Sequence, residues 1–376
     1  MSESDELQST GLAFDAAMMR RCCELADRAA GFTAPNPLVG SAIVRAGEIV
    51  GEGYHPRAGE PHAEVFALRD ARKTGENLAQ GGTLYVNLEP CNHFGRTPPC
   101  SEAVIAAGVA RVVVGMRDPN PQAVGGVERL REAGIAVTVG VEEARCRRLN
   151  EAFIHRVTRR QPFGILKYAM TLDGKIATTT GHSAWISGPA SRRRVHRLRG
   201  RCDAVIVGGN TVRQDNPNLT SHAQSDRNPL RVVMSRRLDL PVRANLWNMG
   251  AAPTLVFTQV GCDLAVAEAL REQGVEVVEL DELMPRWVMK RLYERGLASV
   301  LWECGGTLAA AAIADGSVQK LWAFVAPKLI GGVGAPSPLG DLGLETMTAA
   351  IALKDMQVTQ IEQDFLLQGY LDPLAE

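Results

Sequence analysis

The sequence has almost no net charge and no long apolar run. Its 376 residues include 41 Lys or Arg and 42 Asp or Glu, which gives a formal net charge of −1. A chain without a basic excess has no field that would hold bulk nucleic acid. Its apolar runs are all shorter than the roughly 18 residues that predict a membrane-spanning helix. We therefore expect neither a nucleic acid nor a membrane among its partners.

An export signal is also lacking. The first ten residues, MSESDELQST, carry three acidic side chains and neither a basic segment nor an apolar core. We predict that residues 1–11 form a mobile tail and that the protein is cytoplasmic. The eight cysteines are scattered along the chain. A long chain without an export signal is not expected to contain a disulfide framework.

The length of the chain favours two domains. Hydrophobic residues make up 45% of the chain and charged residues 22%, so each half can bury its own core. In the first half, predicted strands alternate with predicted helices, a pattern typical of a layered α/β domain. A short polar segment that ends at Pro162 marks the boundary. We assign residues 12–158 to the first domain and residues 162–376 to the second.

The first half contains a set of metal ligands with a carboxylate beside it. His62, Cys91 and Cys100 provide one imidazole and two thiols, which suit Zn²⁺. Three protein ligands leave a fourth position for water, and bound zinc lowers the pKa of that water to about 7. Glu64 lies two residues after His62 and is not needed as a ligand. It can therefore carry protons, as the glutamate of zinc nucleobase deaminases does.

A purely structural interpretation is the alternative at this point. A His-x-Glu sequence is common, and Cys91 and Cys100 could be buried thiols that only pack. Structural zinc sites usually have four protein ligands, however. Three ligands and a nearby carboxylate favour the open, catalytic kind of site.

The local sequence predicts where these residues lie. A helix from about residue 62 to residue 73 would carry His62 and Glu64 in its first turn. A buried strand over residues 83–88 ends just before Cys91, and Cys100 opens a further helix. Both cysteines would then lie near a helix N-terminus, where the helix dipole favours a thiolate.

Three other predicted elements frame the two halves. Apolar residues at helical spacing predict an amphipathic helix over about residues 12–30. A single helix over about residues 142–157 would close the first half. Polar and apolar residues alternate over residues 358–371, which predicts one closing edge strand.

Two glycine pairs follow predicted buried strands in the second half. The pair at 208–209 follows the strand at residues 203–207, and the pair at 305–306 opens a helix after the strand at 298–303. Backbone N–H groups at a helix start bind anions, and glycine lets the backbone approach a phosphate closely. Arg236 and Arg237 follow another predicted strand. Our hypothesis is that they hold the 2′-phosphate of NADPH.

The first half resembles the deaminase domain of the RibD family of bifunctional riboflavin biosynthesis enzymes. The resemblance lies in three stretches: residues 35–40, 61–64 and 89–100. Eight residues separate Cys91 from Cys100, as in the riboflavin branch, whereas most of the cytidine deaminase-like superfamily has Cys-x-x-Cys. The resemblance implies a cytidine deaminase-like αβα layered domain. It also implies substrate contacts from Asn36, His55, His93 and Arg96, with Arg96 near the substrate phosphate.

The second half resembles the reductase domain of the same family, an α/β domain similar to dihydrofolate reductase. The similar stretches are residues 167–175, 183–186, 203–211, 215–219 and 303–308. The resemblance implies contacts with NADPH from Ala169, Trp185, Thr211, Asp215, Ser235, Gly305, Gly306, Thr307 and Leu308. It implies contacts with the substrate from Ser183, Arg199, Leu219, His222 and Glu303.

One departure from the family pattern concerns the substrate phosphate. Where the family often has an arginine after the Asp-Asn-Pro motif, this chain has His222. Histidine can donate to a phosphate but is mostly neutral at pH 7. We expect Arg199 to carry more of this contact.

The resemblance covers about residues 12–370 and implies one bifunctional enzyme. Its deaminase would act on 2,5-diamino-6-(ribosylamino)pyrimidin-4-one 5′-phosphate with one Zn²⁺ per chain. Its reductase would then convert the ribosyl group to ribityl with NADPH, with Asp215 and Glu303 as candidate proton donors. The resemblance also implies a homo-oligomer that binds a small phosphorylated pyrimidine.

Three other interpretations stay open from the sequence. The reductase half could be impaired, as His222 suggests. The first half could be a nucleic-acid-editing deaminase, although the near-neutral charge opposes this. It could also be a zinc-stabilised scaffold without catalysis.

Overall fold

The structure is a computed structural model that describes residues 3–73, 75–94 and 98–371, with the backbone alone for residues 3–10. The chain divides into two compact units, residues 1–159 and residues 160–376. Both units contain a β-sheet with helices, so the predicted α/β class is confirmed. None of the described helices is both long and apolar enough to cross a membrane.

The first unit contains six helices and five strands in the part of the chain that is described. The helices are α1 (Glu3–Asp27), α2 (Ala63–Asp70), α3 (Cys100–Ala106), α4 (Gly126–Glu132), α5 (Glu143–Leu149) and α6 (Glu151–Arg159). The strands are β1 (Gly40–Arg45), β2 (Glu48–Tyr54), β3 (Thr83–Val86), β4 (Arg111–Val114) and β5 (Ala136–Val139).

The sheet of the first unit has the order β2-β1-β3-β4-β5. β1 is antiparallel to β2 and β3, whereas β3, β4 and β5 are parallel. Val86 pairs with Val114, so β3 and β4 end level with each other. The loops that follow them therefore leave the same edge of the sheet. α1 and α5 pack together on one side, and α2, α3 and α4 form a second group, which makes an αβα layered domain.

The second unit contains five helices and nine strands among its described residues. The strands are β6 (Phe163–Thr171), β7 (Ala204–Gly208), β8 (Leu230–Met234), β9 (Thr254–Gln259), β10 (Glu276–Leu280), β11 (Ser299–Trp302), β12 (Lys320–Ala326), β13 (Lys354–Ile361) and β14 (Asp364–Tyr370). The helices are α7 (Pro189–Arg201), α8 (Gly209–Asp215), α9 (Leu264–Glu272), α10 (Pro285–Glu294) and α11 (Gly306–Ala314).

The sheet of the second unit has the order β10-β9-β8-β7-β11-β6-β12-β14-β13. The strands from β10 to β12 are parallel to their neighbours, and β14 and β13 are antiparallel. Trp302 of β11 is fully buried at the centre of the core. It pairs with Ile206 and Leu166 on either side. The carboxyl ends of three central strands therefore meet at one edge, where open α/β sheets bind their ligands.

The structure differs from the predicted elements in three places. The first helix begins at Glu3, so residues 3–11 are helical and do not form the expected tail. The helix expected over 142–157 is two helices separated at Asn150, whose side chain bonds to the backbone N–H and C=O of Leu38. The single C-terminal strand is a hairpin of β13 and β14, because Glu362 adopts a positive φ and turns the chain.

Two glycines in β2 let helix α2 lie directly on the sheet. A Cβ added at Gly53 would lie 2.5 Å from the backbone N of Ala67 and 2.6 Å from the carbonyl O of Ala63, both in α2. A Cβ at Gly51 would lie 2.4 Å from the carbonyl O of Ala67. Helix α2 therefore rests on a surface that has no side chains at these points.

We predict that Gly53→Ala destabilises the first unit. The new methyl group must push α2 away, and overpacking of this kind costs about 1–3 kcal/mol. A loss of this size lowers the melting temperature by about 2–10 °C for a unit of this size, measurable by scanning calorimetry. Gly11→Ala is the matched control, since nothing lies within 4 Å of its added Cβ in α1. Equal melting temperatures for the two variants would contradict the packing argument.

Candidate functional site

Three metal-competent side chains of the first unit meet at the starts of two helices. His62 is the N-cap residue of α2, and Cys100 is the first residue of α3. The Nδ1 of His62 lies 3.6 Å from the Sγ of Cys91 and 3.3 Å from the Sγ of Cys100. A tetrahedral zinc ion, with bonds of about 2.1 Å to nitrogen and 2.3 Å to sulfur, holds such atoms about 3.6 Å apart. The three residues therefore fit a zinc ion.

Cys91 is held by hydrogen bonds from the first residues of α3. The backbone N–H of Cys100 donates to the Cys91 sulfur at 3.4 Å, and that of Ser101 donates to the Cys91 carbonyl at 3.2 Å. The Ser101 hydroxyl donates to the Asn92 side-chain carbonyl at 2.8 Å. Cys91 is thus held against the N-terminus of α3, as its sequence position predicts.

The two thiols of this cluster have different proton affinities. Hydrogen bonds from the thiol of Cys100 and from His62 lower the pKa of Cys91 to about 4. The same neighbouring thiolate, together with burial, raises the pKa of Cys100. The hydrogen bond with Cys91 raises the pKa of His62. The cluster therefore already carries one thiolate at neutral pH, and a bound dication favours ionisation of the second thiol as well.

Glu64 is a buried carboxyl group with an oxygen that points at no protein donor. Its exposed fraction is 3%, and its Oε2 has no hydrogen-bond partner among the described residues. Burial raises the pKa of Glu64 to about 7. A carboxyl group that titrates near neutrality can both take up and release a proton. Buried polar atoms are normally hydrogen-bonded, so the free oxygen marks the place of a water or a ligand.

A cavity of about 320 Å³ opens onto this cluster. Its wall includes His62, Glu64 and Cys91, and it also includes Asn36, His55 and His93. The structure thus places three of the four expected substrate contacts around one cavity. The fourth, Arg96, lies outside the described residues.

Asn36 and His55 form a hydrogen-bonded pair in the cavity wall. The Nδ1 of His55 lies 3.0 Å from the carbonyl O of Pro61, so that nitrogen carries the proton and donates. The other ring nitrogen then accepts from the Asn36 amide at 3.1 Å. Burial lowers the pKa of His55, in agreement with a neutral ring. The pair therefore leaves the carbonyl oxygen of the Asn36 amide free for a donor on a substrate.

Sequence reasoning missed three polar residues in this region. Asp118 and Asn120 line the cavity, and burial raises the pKa of Asp118 to about 6. Glu89 is fully enclosed and accepts from the backbone N–H groups of Asp118, Gly125 and Val127. It fixes the loop after β4 against the loop after β3. The sequence does not predict that Glu89 joins the two loops, because they are distant in sequence and become neighbours only where β3 and β4 end level with each other.

In the second unit, an acidic side chain and two basic side chains meet at the strand ends. Arg199 of α7 donates to Glu303 through its Nε at 2.5 Å and its Nη2 at 3.0 Å. Lys167 of β6 lies 3.5 Å from the same carboxylate. Burial alone would raise the pKa of Glu303, but the charges of Arg199 and Lys167 lower it to about 2. Glu303 is therefore ionised. Lys167 belongs to this charged cluster, although the sequence did not indicate a role for it.

His222 stacks on a second histidine. The rings of His222 and His196 lie 4.2 Å apart and are nearly parallel. Burial and the charge of Arg199 lower the pKa of His222, and burial, with Arg199, lowers that of His196 to about 4. Both rings are therefore mostly neutral at pH 7, and Arg199 is the charged side chain beside them. Leu219, which is also expected to contact the substrate, is buried, with an exposed fraction of 2%.

The residues expected to contact NADPH follow neighbouring strands. The glycine pair at 208–209 opens α8 after β7, and the pair at 305–306 opens α11 after β11. A Cβ added at Gly208 would lie 3.5 Å from the side chain of Leu308, so the two turns adjoin. Nothing lies within 4 Å of a Cβ added at Gly305. The turn thus presents open space and the first N–H groups of α11, which fits a phosphate group.

The remaining expected contacts are spread around this edge. Ser183 donates to Asp215 at 3.3 Å, and the Ser235 hydroxyl donates to Asp239 at 3.1 Å. Trp185 is 68% exposed, and Arg192 stacks over its ring at 4.2 Å. Ala169 lies in β6, and Thr211 lies in α8. Arg236 and Arg237 are exposed just after β8.

Two family models match the chain. The cytidine and deoxycytidylate deaminase zinc-binding region matches residues 12–116, and the RibD C-terminal domain matches residues 162–367. The first match contains the three metal ligands and Glu64, and the second contains the charged cluster around Glu303. The fold and the sites thus define a zinc-binding deaminase joined to a reductase.

Known proteins are similar over nearly the whole chain. The riboflavin biosynthesis protein RibD of Synechocystis sp. is 58% identical over 358 residues, which is 95% of this chain and 96% of the relative. The RibD protein of Aquifex aeolicus is 42% identical over 351 residues, which is 93% of this chain and 96% of the relative.

A solved structure from Thermotoga maritima is also similar. It is a diaminohydroxyphosphoribosylaminopyrimidine deaminase/5-amino-6-(5-phosphoribosylamino)uracil reductase, 37% identical, with a TM-score of 0.86. The similarity covers 96% of this chain and 99% of that chain. The chain therefore belongs to the RibD family. It is a bifunctional deaminase and reductase of riboflavin biosynthesis that uses zinc and NADPH.

We predict that Cys100→Ser abolishes tight zinc binding. A serine hydroxyl is not ionised at neutral pH and is a poor zinc ligand, so zinc retention against a chelator should fall at least about tenfold. Metal analysis after dialysis measures the remaining zinc. Cys262→Ser is the control, since Cys262 is a buried thiol of the second unit outside the cluster. Full zinc retention by the Cys100 variant would contradict the ligand assignment.

Proposed function

We propose that the cavity of the first unit deaminates 2,5-diamino-6-(ribosylamino)pyrimidin-4-one 5′-phosphate, and that the second unit then reduces the ribosyl group. The observation that carries the proposal is the free, buried oxygen of Glu64 beside the His62, Cys91 and Cys100 cluster. The charged cluster around Glu303 supports the second activity. The activities named for the Thermotoga maritima enzyme support the choice of substrate.

In the deaminase step, Glu64 moves the protons. Bound by His62, Cys91 and Cys100, Zn²⁺ supplies a water of lowered pKa. The Oε2 of Glu64 accepts a proton from the water that attacks the amino-bearing ring carbon. Glu64 then gives a proton to the amino nitrogen, and ammonia leaves. A pKa near 7 suits both transfers, since neither protonation state of the carboxyl group is strongly favoured.

The cavity wall orients the pyrimidine. The carbonyl oxygen of the Asn36 amide accepts from an amino group of the ring, because His55 occupies the amide nitrogen. We assign His93 to the same wall and Arg96 to the substrate phosphate. Glu89 accepts from backbone N–H groups on either side of Asn120 and so holds the loop that carries Asp118 and Asn120 in the cavity wall.

In the reductase step, the protein orients two reactants. NADPH supplies the hydride when it is bound. We assign its phosphates to the turn at residues 305–308, and its contacts to Ala169, Trp185, Thr211, Asp215 and Ser235. The ionised Glu303 holds Arg199 and Lys167 beside the strand ends. These two cations, with Ser183, Leu219 and His222, are assigned to the ribosyl phosphate side of the substrate.

The complete charged cluster favours an active reductase over an impaired one. Arg199 reaches Glu303 and the carbonyl O of Thr220 at 3.1 Å with three of its five donors, and two donors are left. A neutral His222 therefore does not deprive the site of its cation. A net charge of −1 favours a small substrate over a nucleic acid.

We also propose a homo-oligomer in the cytoplasm. The exposed edge strand β13 carries Met356 and Val358, and Phe365 of β14 is also exposed. Exposed apolar side chains on a strand edge favour pairing with another chain. The eight free thiols favour a reducing compartment.

We predict that Glu64→Gln removes deamination while zinc binding and reduction remain. The amide cannot carry the protons, so ammonia release should fall about 10²–10⁴-fold. Ammonia release from the diaminopyrimidine substrate and the loss of NADPH absorbance are measured together. The already deaminated compound serves as the control substrate for the reductase. Undiminished ammonia release by a zinc-loaded variant would exclude Glu64 as the proton carrier.

We predict that Arg236→Ala combined with Arg237→Ala weakens NADPH but not NADH. Each lost charge removes one contact with the 2′-phosphate, so KM for NADPH should rise about tenfold or more. Steady-state reduction with each cofactor gives the two KM values. Arg243→Ala is a control on the same unit. An unchanged preference for NADPH would refute this assignment.

A further inference from the structure

Two thiols outside the zinc cluster are in contact within the first unit. The Sγ of Cys23 in α1 and the Sγ of Cys146 in α5 lie 3.7 Å apart. The two residues are 123 positions apart in sequence, so only the packing of the two helices brings them together. Neither thiol has a part in the proposed deaminase or reductase chemistry.

The pKa values of the two thiols are shifted in opposite directions, as expected for a nucleophilic cysteine and the cysteine with which it forms a disulfide. A hydrogen bond from Cys146, together with the charge of Arg145, lowers the pKa of Cys23. The same contact, together with burial, raises the pKa of Cys146. Cys23 is therefore the sulfur that ionises first, and Cys146 keeps its proton. The thiolate is the form that attacks oxidants.

Of the two cysteines, Cys23 is the one that borders solvent, with an exposed fraction of 5% against 0% for Cys146. An open groove of about 720 Å³ is lined by Cys23, Arg20, Glu142 and Arg145, among others. Arg20 and Arg145 both bind Glu142, at 2.6 Å and 3.3 Å, and so form one wall of the groove. Cys146 does not line the groove and is fully buried.

Burial alone does not lower the pKa of a thiol in this unit, as the neighbouring Cys22 shows. Cys22 precedes Cys23 in α1 and is fully buried, and burial raises its pKa. Cys202 in the second unit is also buried with a raised pKa. Such thiols pack as small apolar groups and are inert.

We propose that Cys23 and Cys146 form a reversible disulfide when the protein meets a peroxide. The Cys23 thiolate attacks one oxygen of hydrogen peroxide, the O–O bond breaks, and hydroxide leaves and takes up a proton as water. This gives a sulfenic acid at Cys23. The sulfur of Cys146 then attacks the Cys23 sulfur, an S–S bond forms, and the hydroxyl group leaves as water with the Cys146 proton. Two thiols are oxidised, and one peroxide is reduced to two waters.

The test is peptide mapping of the full-length, zinc-loaded protein after treatment with about one equivalent of hydrogen peroxide. The protein is then unfolded in denaturant that contains excess N-ethylmaleimide, which blocks free thiols as they become exposed, and is digested. Trypsin places Cys22 and Cys23 together in residues 22–28 and Cys146 in residues 146–147. We expect these two peptides to be linked through Cys23 and Cys146, with N-ethylmaleimide on Cys22, and to be separated again by dithiothreitol. Zinc should still be bound when they form.

Variants assign the two roles. In Cys146→Ser, the sulfenic acid at Cys23 should persist and react with dimedone. In Cys23→Ser, Cys146 should stay unmodified, and Cys22→Ser is the control that should keep the crosslink. The proposal is overturned if wild type yields sulfinic or sulfonic acid at Cys23 without a crosslink. It is equally overturned if zinc is lost and the peptides of Cys91 and Cys100 oxidise first. The wild-type map decides this even where a variant does not fold.

Discussion

The close approach of α2 to the first sheet is the constraint on which the zinc cluster depends. Gly51 and Gly53 leave no side chain under the helix, so its backbone lies directly on β2. This packing fixes the distance between the sheet and the start of α2, where His62 and Glu64 lie. The level ends of β3 and β4 then place the Cys91 loop opposite that start. The distances of 3.6 and 3.3 Å from the His62 nitrogen to the sulfurs of Cys91 and Cys100 depend on this backbone packing.

Each unit contains a carboxyl group with a shifted pKa, and the two shifts have opposite directions. Glu64 keeps a free oxygen, and burial outweighs the opposing charge of His62 and raises its pKa to about 7. The Glu303 side chain is 8% exposed, and burial would raise its pKa too, but Arg199 and Lys167 lower it to about 2. The first group can exchange protons at neutral pH, whereas the second is a fixed charge that holds two cations. Each environment therefore suits the role that we propose for its residue.

Some helices and strands could be predicted from short stretches of the sequence alone. Strands β1, β2 and β3 and the helices that begin near His62 and Cys100 follow from apolar spacing and from turn residues. The helix expected over 142–157 breaks at Asn150 because that side chain bonds to the distant Leu38. The alternation of polar and apolar residues over 358–371 predicts one strand, but the chain turns at Glu362, which has a positive φ and is not a glycine. In both places a long-range bond or an unusual φ overrides the local pattern.

The sequence by itself determined the ligand chemistry. His62, Glu64, Cys91 and Cys100 have a spacing and residue types that suit a zinc site with a proton carrier, and the glycine pairs mark phosphate-binding turns. Only the tertiary structure decided which distant groups join them. Lys167, His196 and Asp118 enter the sites through strand register and helix packing, and the same is true of the contact between Cys23 and Cys146. Pairings of this kind depend on distances across the fold, which no local sequence pattern encodes.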